Sequence, residues 1–171
     1  MINSFQNKII TELPDIAKID FKNINRNYLK IILINVLLLF ISLSIGLFFL
    51  IDKKLVNKIP AYIPLIYSAF FLIFILIFIF IIVGFPKRKY ALRDKDISYK
   101  SGVLTKTITT VPFSRIQHVE IDQGPISRFF GLSCLTVFTA GDSSHDLEIK
   151  GITNEQAIQI KEFISTTINE S

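Results

Sequence analysis

The balance of hydrophobic and polar positions shifts twice along this chain, dividing it into parts with different periods. From Ile31 to Ile51 there are twenty-one residues without a charge, IILINVLLLFISLSIGLFFLI. As a helix rising about 1.5 Å per residue, that run spans the roughly 30 Å hydrocarbon core of a bilayer. A second uncharged run, Pro60 to Pro86, contains FFLIFILIFIFIIVGF. Neither carries the polar stripe that a core helix of a soluble protein turns to solvent, so both read as transmembrane helices. A cleaved signal peptide describes the first run poorly. It starts some thirty residues in, lacks a small-x-small cleavage site and is followed at once by another span.

Only DKKLVNKI, Asp52 to Ile59, separates the runs. So short a loop makes them an antiparallel hairpin with both chain ends on one side of the membrane. The expected division is a cytoplasmic leading segment at 1–30, spans at 31–51 and 60–86, an external loop at 52–59 and a cytoplasmic domain at 87–171. Small residues, Ser42 and Gly46 in one span and Ala61 and Ser68 in the other, are candidates for a close helix–helix seam. Neither span holds an ionisable acid, base or histidine, so this chain alone offers no proton or ion path. The leading segment spaces Phe5, Ile9, Leu13, Ile16, Ile19, Phe21 and Ile24 too sparsely for a core of its own, and Pro14 interrupts any helix there. It is expected to lie on the membrane surface or on the C-terminal domain.

Residues 87–171 alternate in the manner of strands before changing to a helical period. KYALRD, DISYKSG, VLTKTITTVPF, RIQHVEID, SCLTVFTAG and HDLEIKG are rich in β-branched or aromatic residues and are separated by turn signals. Tight turns are expected at Asp94-Lys95-Asp96, at Ser101-Gly102 and at Gly141-Asp142-Ser143-Ser144. Thr153 and Gln156 then have the spacing of a capping box, with Ile152 and Ala157 at the staple positions. Beyond them Ala157, Ile160, Ile164 and Ile168 share one helical face. The apolar stripe of this helix needs a partner, and the strands supply it. The soluble part is therefore α+β, a small antiparallel sheet structure closed by a C-terminal helix.

Charge and composition narrow the function. The net charge is +5, yet residues 87–115 hold eight Lys/Arg against two acids, and 116–171 hold three against eight. Positive charge hugs the spans, above all at Lys87, Arg88, Lys89 and Arg93, and attraction to anionic lipid headgroups accounts for it without a nucleic acid. Nine Lys/Arg flank the hairpin outside its loop, against Lys53, Lys54 and Lys58 within it. That bias places both termini on the cytoplasmic side. The single cysteine, Cys134, suits a reducing compartment.

The stretch PFSRIQHVEIDQGPISRFFGL, Pro112 to Leu132, concentrates the chemistry. Strand alternation turns Gln117, Val119 and Ile121 to one face and His118, Glu120 and Asp122 to the other, making the polar set a solvated side. A triad of Ser114, His118 and Asp122 is excluded by reach, since strand positions four apart stand about 13 Å apart. His118, His145 and Cys134 lack the spacing of a metal site. Cys134 reads as a buried small hydrophobe. No glycine-rich phosphate loop is present, and no cofactor is expected. Gly124 and Pro125 stop the strand, a helical turn follows, Gly131 ends it, and Phe129, Phe130 and Leu132 are expected to pin the turn to the core. Arg115 and Arg128 remain, each expected to pair with a carboxylate or cap carbonyls, with partner recognition as the alternative.

The order of these features resembles a known family. A two-span hairpin followed by YALRD, ISYKSGV, VPFSRIQHV, QGPISRFFGL and LTVFTAG is similar to the bacterial pleckstrin-homology family of YdbS-like membrane proteins, over about 31–165. The resemblance implies a PH-like fold, a bent antiparallel sandwich or partial barrel capped by the C-terminal helix. It also implies no enzymatic activity, and a larger paralogue with several such domains, or a second copy, as a membrane partner. The basic loop with which eukaryotic PH domains hold phosphoinositides has no counterpart in the short acidic turn at Asp94-Lys95-Asp96. The leading expectation is a membrane-anchored binding or scaffolding module in a complex concerned with envelope stress or antimicrobial-peptide tolerance. The rivals are an accessory subunit of a transport or export system and, far behind, an enzyme.

Overall fold

A computed structural model of the chain describes residues 19–54, 62–140 and 147–169. The expectations for Pro14, Lys58, Ala61, His145 and the turn at 141–144 lie outside the described residues. Helix α1 runs Asn27–Lys54 and helix α2 Ile63–Gly84, after which a single 3-10 turn, Phe85–Lys87, leads out. Large apolar side chains along both helices, Leu38, Phe48, Leu72 and Ile79 among them, are exposed. Helices that bury so little against protein require an apolar surrounding, and their lengths match a bilayer.

The helices meet through aromatic rings. Phe40 of α1 stacks on Phe70 with centroids 5.0 Å apart, and also touches Phe71 and Phe74 of α2. Ser42 and Ser68 instead face outward and return their hydroxyls to the carbonyls of Leu39 and Leu65. Gly46 has open space where a Cβ would stand. Among the described residues, Ser42, Gly46 and Ser68 thus stay out of the helix contact, which the aromatic rings make instead.

Strand β1, Lys22–Asn23, precedes the hairpin, and β2, Lys89–Leu92, follows it. The two pair antiparallel, Lys22 opposite Tyr90 and Asn23 opposite Lys89. Strands β3, Asp96–Ser101, and β4, Thr107–Pro112, complete a sheet ordered β1-β2-β3-β4. The leading segment therefore joins the sheet, which its two-residue length hides from any periodicity. Ile24 beyond it is 4% exposed, and the Asn25 amide donates to the Gly151 carbonyl.

A second sheet consists of β5, Ile116–Asp122, β6, Leu132–Thr139, and β7, Leu147–Thr153, in that order. Helix α3, Pro125–Phe129, links β5 to β6, and helix α4, Asn154–Asn169, ends the described fold. Tyr90, Ile97 and Val111 of the first sheet share one core with Leu135, Val137 and Ile149 of the second and with Ala157, Ile160 and Ile164 of α4. The capping box is reciprocal, with the Thr153 hydroxyl accepting from the Gln156 amide and the Gln156 side chain from the Thr153 amide. Two facing sheets capped by a helix are the architecture the resemblance implied.

Three local expectations change. Val103 to Lys106 form a loop rather than the start of a strand, since Gly102 at φ 114° brings the chain so close to the Thr105 carbonyl that no Cβ would fit. A bulge between Ile116 and His118 moves Gln117 off the Val119 and Ile121 face, leaving Gln117 exposed while Ile116 is buried. Phe129 is 86% exposed and does not pin α3 to the core.

Gly151 stands at φ +82°, and a Cβ there would overlap the Tyr28 ring at 2.4 Å. Gly151→Ala should therefore destabilise the protein by at least the roughly 1–3 kcal/mol of the strained backbone. A lowered thermal midpoint in detergent, with the apolar helices retained by circular dichroism, is the expected result.

Candidate functional site

The chemistry-bearing side chains of 112–132 do not converge. Ser114 lies in a 3-10 turn, Phe113–Arg115, before β5. His118 lies flat on Phe138 with ring centroids 4.3 Å apart, its Nε2 3.5 Å from Glu120. Asp122 is at the far end of the strand. Among the described residues no three of His, Cys, Asp and Glu come together as a metal site would require.

Cys134 is half-buried rather than enclosed, with a more polar setting than its strand suggested. Its thiol donates to Glu148 at 3.4 Å and lies 3.8 Å from the Thr136 hydroxyl, while Glu148 also pairs with Lys150 at 2.9 Å. Burial pushes the thiol up to about 11, the Thr136 contact opposing this and the Glu148 carboxylate adding to it. Such a thiol is a poor nucleophile.

Arg115 and Arg128 are exposed and occupy opposite ends of β5. Seven strand residues separate their surroundings by about 20 Å. Arg128 sits on α3, which packs against α1, whereas Arg115 lies where β4 hands over to β5. Neither has an ion-pair partner among the described residues.

The basic cluster beside the hairpin divides by strand alternation. Lys87 and Lys89 line a hollow of about 290 Å³ with Lys100 and Lys106, two residues that sequence reasoning did not include. The hairpin register, which sets Lys89 directly opposite Lys100, is the signal that would have found them. Like charges directly opposite one another are unfavourable unless an anion lies nearby. Lys100 also lies 5.5 Å above the Phe21 ring. Arg88 takes the other face, beside Tyr99. Arg93 belongs elsewhere, held by Asp96 through two bonds of 2.7 and 2.6 Å.

Two apolar tips flank the helix roots. Leu104, 88% exposed, rides on a loop whose Val103 packs against Gly84 at the end of α2. Phe129, 86% exposed, rides on α3 beside α1. Lysines and exposed apolar tips grouped around the ends of two apolar helices make a surface suited to a bilayer interface.

Residues 30–167 match the model of the bacterial PH domain family, a stretch that takes in nearly all of both long helices and every strand except β1. The chain belongs to that family. Over 77 residues it is 30% identical to the UPF0699 transmembrane protein YdbS of Bacillus subtilis (strain 168), covering 45% of this chain and 46% of that one. The match thus extends over about half the length of the curated relative. No solved structure matches the chain. Together with the two apolar helices, these matches make this a bacterial PH-like domain in a YdbS-like transmembrane protein.

In this family member the surroundings of Cys134 have a measurable consequence. At pH 8 the raised thiol carries about a hundredfold less thiolate than an ordinary cysteine. Maleimide should therefore label the native protein in detergent about two orders of magnitude more slowly than the protein unfolded in guanidinium. The native rate should climb as pH passes 10, and equal rates at pH 8 would contradict the assignment.

Proposed function

We propose that the chain is a bacterial inner-membrane protein with both termini in the cytoplasm, whose PH-like domain is a binding or scaffolding module of a membrane complex. The observation that carries this reading is the β1–β2 pairing across the hairpin. It holds the domain at a set position on its anchor, the arrangement a docking platform needs. The family's domain type favours a non-enzymatic role.

The cytoplasmic placement rests on the nine Lys/Arg around the hairpin ends against three in the loop. Arg115, exposed at the end of β5 away from α3 and without an ion-pair partner among the described residues, is the best-placed residue for a protein partner. Arg128, beside α1, is better placed for a membrane-embedded one. A larger paralogue with several PH-like domains, or a second copy of this chain, fits such a surface. A role in envelope stress or antimicrobial-peptide tolerance is part of the same proposal.

Two measurements test it. A photo-crosslinking residue in place of Arg115 should give discrete adducts with a membrane protein in cells. A monomer in mild detergent without adducts would count against the scaffold. For the topology, Lys95→Cys should resist a membrane-impermeant maleimide in intact spheroplasts and react after permeabilisation, and labelling in the intact state would place the domain outside.

A further inference from the structure

Where the two long helices enter the domain, a cleft of about 360 Å³ opens between residues from both sides of the hairpin. Arg26, just before α1, and Arg88, just after α2, line it at the domain end. Leu29 of α1, Ile82 of α2 and Phe85 line it toward the spans. No acidic residue lines it, and neither arginine has an ion-pair partner among the described residues.

Two uncompensated guanidinium groups in one cleft repel each other, so the arrangement favours an anion between them. Arginine presents a planar set of donors suited to phosphate oxygens. The apolar half points to the rest of the ligand. A free phosphate has no use for Leu29, Ile82 and Phe85, whereas a phospholipid places its charged group and its first methylenes in this order along the membrane normal. Ile82 is 43% exposed and Phe85 8% exposed, so the cleft has an open side on α2 and a closed floor. Basic pockets between transmembrane helices are a recognised means of holding anionic headgroups.

We propose that this cleft is a specific site for one anionic phospholipid of the leaflet facing the domain, its phosphate held between Arg26 and Arg88 and an acyl chain laid against Leu29 and Ile82. The site differs from the lysine hollow, which offers four mobile ammonium groups without an apolar wall of this kind. Because Arg26 and Arg88 come from opposite flanks of the hairpin, the site exists only while β1 is paired with β2. A bound lipid therefore stabilises the junction between anchor and domain. The inference holds whatever protein the domain binds.

Native mass spectrometry of the full chain in neutral detergent, with phosphatidylglycerol or phosphatidylcholine added, tests the site. One phosphatidylglycerol should be retained per chain, with a preference of about tenfold over phosphatidylcholine. The double variant Arg26→Gln/Arg88→Gln should lose the preference, and Lys89→Gln/Lys100→Gln should keep it. Soluble glycerol phosphate should fail to displace the lipid. Should the arginine variant not fold, Ile82→Trp, which fills the apolar end, should abolish retention with the arginines intact. Equal retention of both lipids, loss of preference only in the lysine variant, or displacement by glycerol phosphate would overturn the proposal. Failure of the partner crosslinks from position 115 would leave these results unchanged, so the two readings stand or fall separately.

Discussion

The antiparallel contact between Lys22–Asn23 and Lys89–Tyr90 is two residues long, and the placement of the domain on its anchor depends on it. A strand so short is not stable by itself. It forms because the α1–α2 hairpin returns the chain to its starting point, so that little further loop-closure entropy is lost when its flanks pair. Burial of Ile24 and the seating of Tyr28 over Gly151 reinforce it from the second sheet. Both helices are then tied to one sheet within a few residues of leaving the domain, and neither can swivel without breaking strand pairing.

That constraint sorts the charges. The turn and extended backbone leading into β2 set Lys87 and Lys89 in one hollow and Arg88 beside Tyr99, and the register with β3 brings Lys100 beside the first pair. The outcome is two basic surfaces of different character around the roots of the hairpin. One is an open hollow of ammonium groups, suited to diffuse attraction. The other is a cleft with two guanidinium groups and an apolar wall. Leu104 and Phe129, the most exposed large apolar side chains of the domain, stand on a loop beside the end of α2 and on α3 beside α1, so their exposure to water would be relieved at a bilayer interface.

Much of this was legible in the residues. The uncharged runs, the strand pattern from Lys89 to Thr153, the capping box at Thr153 and the Gly124-Pro125 break are local signals, each read from spacing alone. The bulge beside Gln117 was not legible, because an extra residue in a strand leaves no mark on composition while reversing the expected face. Phe129 looked like a core residue because hydrophobic character says nothing about which side of a one-turn helix is covered. Lys100 and Lys106 escaped notice among the site residues because they lie eleven or more positions from Lys89 and meet it only through hairpin register.

The sequence by itself determined the class of this protein: a membrane hairpin, a small antiparallel sheet domain and a closing helix. Hydrophobic length, alternation and helix capping act over a few residues and survive in a linear reading. Only the tertiary structure decided that the leading segment enters the sheet, that Ser42, Gly46 and Ser68 stay out of the helix contact, and that Arg26 and Arg88 share a cleft sixty-two positions apart in the chain. Those outcomes depend on strand pairing across the hairpin, and pairing between distant segments is an energetic choice of the whole chain that no local pattern encodes.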